Sequence, residues 1–121
     1  MPNSSINYDL EERTAKFGVD VISFCKRLDQ TIISRPLISQ LIRSATGIGA
    51  NYMEANGASS KRDFKNKIYI CKKEAQETKH WLRMIASVFP SERNTAKILW
   101  SESQELTMIF QKITMSLNKK T

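Results

Sequence analysis

The stretch SATGIGANYMEANG, residues 44–57, contains three of the four glycines of the chain. Gly47 and Gly49 stand two positions apart, as in the phosphate-binding loops of nucleotide sites. A dinucleotide fingerprint needs a third glycine three residues later, where this chain has Tyr52, and the motif must follow a strand. The P-loop pattern G-x-x-x-x-G-K-[ST] does not occur in the sequence. The stretch therefore predicts a helix that carries little bulk, and not a nucleotide loop.

Helical spacing places these residues in a helix predicted over residues 36–56, which Gly57 ends. One stripe of it is apolar: Leu37, Leu41, Ala45, Ile48, Tyr52 and Ala55. Another face carries the proposed packing motif, Arg43, Gly47, Asn51 and Glu54. Glycine inside a helix costs about 0.5–1 kcal/mol relative to alanine, so Gly47 is interpreted as a point of close approach that the polar side chains bridge with hydrogen bonds. The alternative is a helix that tolerates glycine near an irregular end. Whether this face meets the same subunit or a neighbour stays open.

Three further helices are predicted, over residues 8–28, 60–87 and 91–117. The first has acidic residues in its first turn and basic residues in its last, as the helix dipole favours. Ser60 and Asp63 resemble a capping box at the start of the third, and Ser91 is the predicted cap of the fourth. Four helices of about 20 residues with short connections predict one all-α domain over residues 1–121, an antiparallel up-down four-helix bundle.

Apolar residues recur at steps of three and four in each of these helices, which predicts the core. In the first helix the stripe is Leu10, Thr14, Phe17, Val21, Phe24 and Leu28. In the third it is Phe64, Ile68, Cys71, Ala75, Thr78, Leu82 and Ile85. In the fourth the pattern is less regular: Ile98 or Leu99, Glu102, Leu106, Ile109 or Phe110, Ile113 and Leu117.

Positive charge is concentrated in one segment of the chain. The whole sequence carries 19 basic and 12 acidic residues, a net charge of +7. Residues 60–83 carry eight basic and three acidic residues, hence +5 of that total. Basic charge on one element indicates an anionic partner, most often nucleic acid. The alternative is a lysine-rich helix face that only aids solubility.

The cations of the third helix fall on definite sides of a helical wheel. The candidate nucleic-acid-binding residues are Lys61, Arg62, Lys65, Lys72, Lys73, Lys79 and Arg83. Five of them form a flank about 33 Å long, while Arg62 and Lys73 lie farther round the helix. Ile70 and Trp81 lie on the opposite flank and are candidates for subunit contact, as is Trp100 on the fourth helix. The alternative is that both tryptophans only cover the edges of the bundle. No base-reading motif is present, so binding should be weakly sequence-selective and strongly salt-dependent.

Catalytic and metal-binding patterns are weak in this sequence. A single histidine, His80, and two cysteines 46 residues apart do not make a zinc site. A carboxylate-metal site around Glu54, Glu74, Glu77 and His80 remains a minor alternative, because the Glu-x-x-His spacing of di-iron bundles occurs once rather than twice. We expect that the protein is not an enzyme and that it has no catalytic residue, no bound metal and no cofactor.

The sequence also predicts a cytoplasmic protein with no membrane association. No apolar run approaches the roughly 18–20 residues that a membrane span requires, and the first residues lack the basic and apolar regions of a signal peptide. Cys25 and Cys71 sit in apolar stripes, which favours free buried thiols in a reducing compartment.

Residues 35–85 contain a pattern formed by these residues: Gln40, Arg43, Ile48, Asn51, Glu54, Ala55, Ser60, Asp63, Phe64 and Glu77. The pattern gives this segment a resemblance to a family of four-helix-bundle proteins first associated with intervening sequences in bacterial 23S ribosomal RNA genes. It extends more distantly to the accessory variability proteins of diversity-generating retroelements. It implies a bundle assembled as a ring, a homopentamer, and for the retroelement relatives a basic barrel that binds nucleic acid and a reverse transcriptase. For most of the family, no function is assigned.

The leading hypothesis is a non-enzymatic, oligomeric four-helix bundle that binds RNA or DNA through the basic face of its third helix. The alternative is a protein-interaction scaffold, such as an accessory subunit for a reverse transcriptase or another acidic partner, with no direct role in nucleic-acid binding.

Overall fold

The computed structural model describes residues 2–119, and its description of side chains begins at Asp9. Four helices follow one another, α1 (Pro2–Lys26), α2 (Ser34–Asn56), α3 (Lys61–Val88) and α4 (Arg93–Lys119), with a 3₁₀ turn at Pro90–Glu92. Within that range the chain forms no strand, and successive helices run antiparallel. The prediction of an all-α, up-down four-helix bundle is confirmed. None of the described helices has the length and apolar character needed to cross a membrane.

The first two helices begin earlier than predicted. Helix α1 starts at Pro2, since proline is tolerated in a first turn. Helix α2 starts at Ser34, two residues before the predicted start, because the preceding loop caps it. The Thr31 hydroxyl accepts a hydrogen bond from the Ser34 amide at 3.1 Å, and the Ser34 hydroxyl accepts one from the Thr31 amide at 2.8 Å. Gly57 ends α2 as predicted, with an ordinary negative φ of −94°.

Of the caps predicted for the last two helices, the first is confirmed and the second is not. Ser60 caps α3, and its hydroxyl accepts a hydrogen bond from the Asp63 amide at 3.0 Å. The prediction that Ser91 caps the fourth helix is wrong. Ser91 lies inside the 3₁₀ turn, which is closed by a 2.9 Å hydrogen bond from the Glu92 amide to the Phe89 carbonyl. Helix α4 continues directly from that turn at Arg93.

The core confirms most of the predicted apolar stripes. All six residues predicted for the first stripe are buried, although the last of them, Leu28, follows the end of α1. Six of the seven predicted in α3 are buried, and Phe64 is only partly buried. In α2, Ile38 is buried in place of the predicted Leu37. Of the two residues predicted as alternatives in α4, Leu99 is buried, whereas Ile98 is 70% exposed. The stripe of α4 also contains buried residues that the prediction missed: Ala96, Ser103, Thr107 and Thr114.

The buried polar residues are small and hydrogen-bonded, which explains how they fit the core. The Ser103 hydroxyl donates to the Ala75 carbonyl across the α3–α4 contact at 2.7 Å. The Thr78 hydroxyl lies 2.9 Å from the Ser44 hydroxyl of α2. Among the described residues, no buried side-chain nitrogen or oxygen lacks a partner. Burial also raises the pKa of the Cys25 thiol to about 11 and that of Cys71 to about 12, so both stay protonated near neutral pH.

Candidate nucleic-acid interface

The glycine-bearing face of α2 meets α3 of the same subunit. The Arg43 guanidinium bridges two carboxylates of α3, with Nη1 3.2 Å from Glu74 Oε1 and Nη2 2.6 Å from Glu77 Oε1. A Cβ atom on Gly47 would lie 2.7 Å from Glu74 Oε2. Gly47 therefore makes room for the Glu74 carboxylate beside Arg43, and not for the backbone of a second helix.

The two remaining residues of this motif differ in their contacts. Glu54 binds across to α3, where its carboxylate accepts a 2.7 Å hydrogen bond from Lys67. For Asn51 the predicted hydrogen bond across the contact is not found. Its amide instead donates to the Gly47 carbonyl, one turn earlier on its own helix, at 2.8 Å. The close helix approach is at Gly49, where an added Cβ would lie 3.5 Å from the Thr14 backbone of α1.

The carboxylates of the alternative metal site are engaged with protein cations. Glu74 and Glu77 hold Arg43, and Glu54 holds Lys67. His80 packs edge-on against Trp81, with ring centroids 4.8 Å apart. Across the described part of the chain, no group of three or more histidine, cysteine, aspartate or glutamate residues is placed to hold a metal ion. The charges here serve the contact between α2 and α3.

The basic flank of α3 runs along α4. Lys72 donates a hydrogen bond to Gln111 of α4, and Lys79 donates to Gln104 of the same helix. The Lys79 ammonium also lies 5.3 Å from the centroid of the Trp100 ring. Lys65 stands two turns before Lys72 on the same face of α3. Because both glutamine partners are neutral amides, these contacts position the lysines without cancelling their charge.

The carboxylates of α3 and α4 that form ion pairs all do so on other sides of the bundle. Arg43 of α2 binds the two carboxylates of α3, Glu74 and Glu77. Arg13 of α1 binds two carboxylates of α4, Glu102 at 2.7 Å and Glu105 at 2.9 Å. Glu92 pairs with Arg27 at the end of α1. In the described structure, none of the seven candidate cations forms an ion pair with a carboxylate. The α3–α4 contact therefore presents cations whose charge is not balanced locally.

Four of the seven predicted cations lie along the contact between α3 and α4, and two cations of α4 join them there. Lys73 lines a groove between α2 and α3 beside His80, away from α4, and Lys61 and Arg62 are exposed in the first turn of α3. Arg83 lies instead in the α3–α4 groove, together with Arg93 and Lys97 of α4. We call the combined set the α3–α4 basic surface: Lys65, Lys72, Lys79, Arg83, Arg93 and Lys97.

Sequence reasoning missed the α4 members because it treated the third helix alone. Arg93, Lys97, Trp100 and Gln104 step by four, three and four, so they share one face of α4. That spacing was a usable signal once α4 was aligned antiparallel to α3. The candidates for subunit contact also differ in burial: Ile70 is exposed, while Trp81 and Trp100 are partly buried against the core.

Comparison with known proteins agrees with this architecture. The family described as 23S rRNA-intervening sequence protein matches residues 7–112. The crystal structure of a protein of unknown function from the S23 ribosomal protein family of Bacteroides thetaiotaomicron VPI-5482 superposes with a TM-score of 0.77. Its sequence is 29% identical, and the match covers 86% of this chain and 96% of the other. No curated protein matches this sequence. The chain belongs to the 23S rRNA-intervening sequence protein family.

Proposed function

We propose that this protein is a non-enzymatic cytoplasmic bundle that binds RNA or DNA, with little sequence selectivity, through the α3–α4 basic surface. One observation carries the proposal: Lys72 and Lys79 bond to neutral amides, whereas Arg13, Arg27 and Arg43 bond to carboxylates on other faces. The charge on the α3–α4 side is therefore available to an external anion.

The shape of this surface favours an extended anion. Its α3 members, Lys65 to Arg83, span about 27 Å at 1.5 Å per residue. A row of that length follows a phosphate backbone better than it encloses one small anion. Since no base-reading motif accompanies the row, phosphate contacts supply the affinity and the sequence of the nucleic acid has little effect.

Binding to mixed-sequence RNA and DNA tests the proposal. Four to six phosphate contacts predict an affinity for duplex DNA that falls about 10²- to 10³-fold between 50 and 200 mM salt. Fluorescence anisotropy of labelled duplexes measures it. Absence of binding at the lower salt would refute the proposal. Capture of one protein from lysate, insensitive to nuclease, would then support the alternative of an acidic protein partner.

We further propose that the chain assembles into a ring of five copies. The number rests on the family resemblance. The supporting observation is a groove of about 410 Å³ between α1 and α2, where exposed Val19, Ile22 and Met53 surround Gly18 and Gly49. Light scattering after size exclusion should give about 70 kDa, five times the 13.9 kDa chain. A mass near 13.9 kDa at micromolar concentration would contradict the assembly.

A further inference from the structure

A groove at one end of the α3–α4 basic surface has an apolar floor and a cationic rim. It lies close to the 3₁₀ turn and has a volume of about 390 Å³. The floor is formed by four residues, Leu82, Ala86, Ala96 and Trp100. The rim consists of Arg83, Arg93 and Lys97. No acidic residue lines the groove.

This combination matches the chemistry of one nucleotide. A nucleobase is flat and largely apolar on its faces, and its sugar connects it to a phosphate on either side. The indole of Trp100 offers a surface on which any base can stack, whatever its identity. Arg83, Arg93 and Lys97 line the same groove and supply positive charge for the phosphates on either side of that base. A volume of about 390 Å³ is at the small end of the range for ligand pockets and suits a single base.

We propose that this groove receives an unpaired base of single-stranded nucleic acid, so that the protein prefers single strands to duplexes. The inference rests on the proposed function and adds the form of nucleic acid to it. A duplex keeps its base faces stacked inside and cannot offer them to Trp100. A single strand can place one base in the groove while its backbone continues past Lys79 toward Lys72.

An acidic amphipathic peptide is the competing occupant. Two observations favour the base: the largest group on the floor is an aromatic ring, and Lys79, whose ammonium lies over that ring, continues the row of cations along α3. A peptide helix would bring several apolar side chains, and the remaining floor residues are mostly alanines. The groove therefore fits a single flat ring better than a ridge of aliphatic side chains.

Paired affinities test the preference. The probes are a mixed-sequence DNA strand of about 20 nucleotides and the duplex of the same sequence, both at 100 mM salt. Charge alone favours the duplex, because the salt slope per contact is about −0.9 for duplex and −0.7 for single strands. A tighter single-strand complex therefore reports the base contact. Trp100→Ala should weaken single-strand binding about fivefold or more and change duplex binding less than about twofold.

Two further variants separate the groove from folding effects. Ala86→Leu fills the groove without removing the indole, and it should lower single-strand affinity as Trp100→Ala does. Trp81→Ala removes the other tryptophan, on the α2–α3 side, and should leave single-strand affinity unchanged. In a Trp81→Phe protein, Trp100 is the sole tryptophan, and its fluorescence should be quenched by the strand but not by the duplex.

The outcomes distinguish this inference from the proposed function. If strand and duplex bind equally and Trp100→Ala has no effect, the groove proposal fails while the basic surface stands. If neither nucleic acid binds, both fail. A leucine–glutamate amphipathic peptide that quenches Trp100 when the strand does not would identify a peptide site and overturn the groove proposal.

Discussion

Replacing Lys65, Lys72 and Lys79 together by glutamine should lower duplex affinity about 10²- to 10³-fold at 50 mM salt. The physical reason is counterion release: each lost phosphate contact removes about 0.9 from the slope of log affinity against log salt. Glutamine retains a polar amide that can still meet Gln111 and Gln104 of α4. The change therefore removes charge from the α3–α4 basic surface while keeping the helix contact.

The matched control removes the same charge from another face. The variant Lys16→Gln, Lys26→Gln, Arg35→Gln alters three exposed cations of α1 and α2, so the net charge falls by three in both proteins. We expect the control to keep nearly all of the wild-type affinity. Equal losses in the two variants would show that net charge, and not the α3–α4 basic surface, controls binding. Circular dichroism spectra like that of the wild-type protein are expected for both variants and check that they fold.

Arg43→Ala should reduce the free energy of unfolding by about 1–3 kcal/mol. The variant leaves Glu74 and Glu77 without their counter-cation, and the Glu74 side chain is only 12% exposed. Breaking a fully buried ion pair costs about 3–5 kcal/mol. Since the Arg43 side chain is 50% exposed, we expect a smaller loss of stability here. Urea denaturation measures the change.

The control for that prediction is an exposed ion pair. Lys16 pairs with Asp20 one turn along α1, and its side chain is 76% exposed. Lys16→Ala should therefore leave the free energy of unfolding nearly unchanged. The double variant Arg43→Ala, Glu74→Gln should recover part of the lost stability, because the less exposed of the two uncompensated carboxylates is gone. Identical stabilities for Arg43→Ala and Lys16→Ala would contradict the role assigned to Arg43.

The helices with the most regular apolar spacing were the most predictable from sequence. In α1 and α3 the stripe residues alternate steps of four and three without interruption, so their period marks the buried face. Helix α4 was harder because Ser103, Thr107 and Thr114 occupy core positions while Ile98 faces solvent. Hydropathy cannot identify a buried serine whose hydroxyl is satisfied by a backbone carbonyl of another helix.

The candidate site was predictable within one helix but not between helices. A wheel of α3 places Lys65, Lys72 and Lys79 on one flank, and Lys72 and Lys79 both reach glutamines of α4. Their neutral partners and the contributions of Arg93 and Lys97 depend on the alignment of α3 with α4, which no single helix encodes. For the same reason, Gly47 was recognised as a close contact, while its actual neighbour, the Glu74 carboxylate, required the structure.

The salt dependence of duplex binding, measured for the wild-type protein and the triple-lysine variant, tests the central claim most directly. Four to six contacts predict a wild-type slope of about −3.6 to −5.4 in a plot of log affinity against log salt. The variant should be shallower by about 2.7, which corresponds to three lost contacts. Parallel slopes for the two proteins would place the bound phosphates elsewhere and contradict nucleic-acid binding by the α3–α4 basic surface.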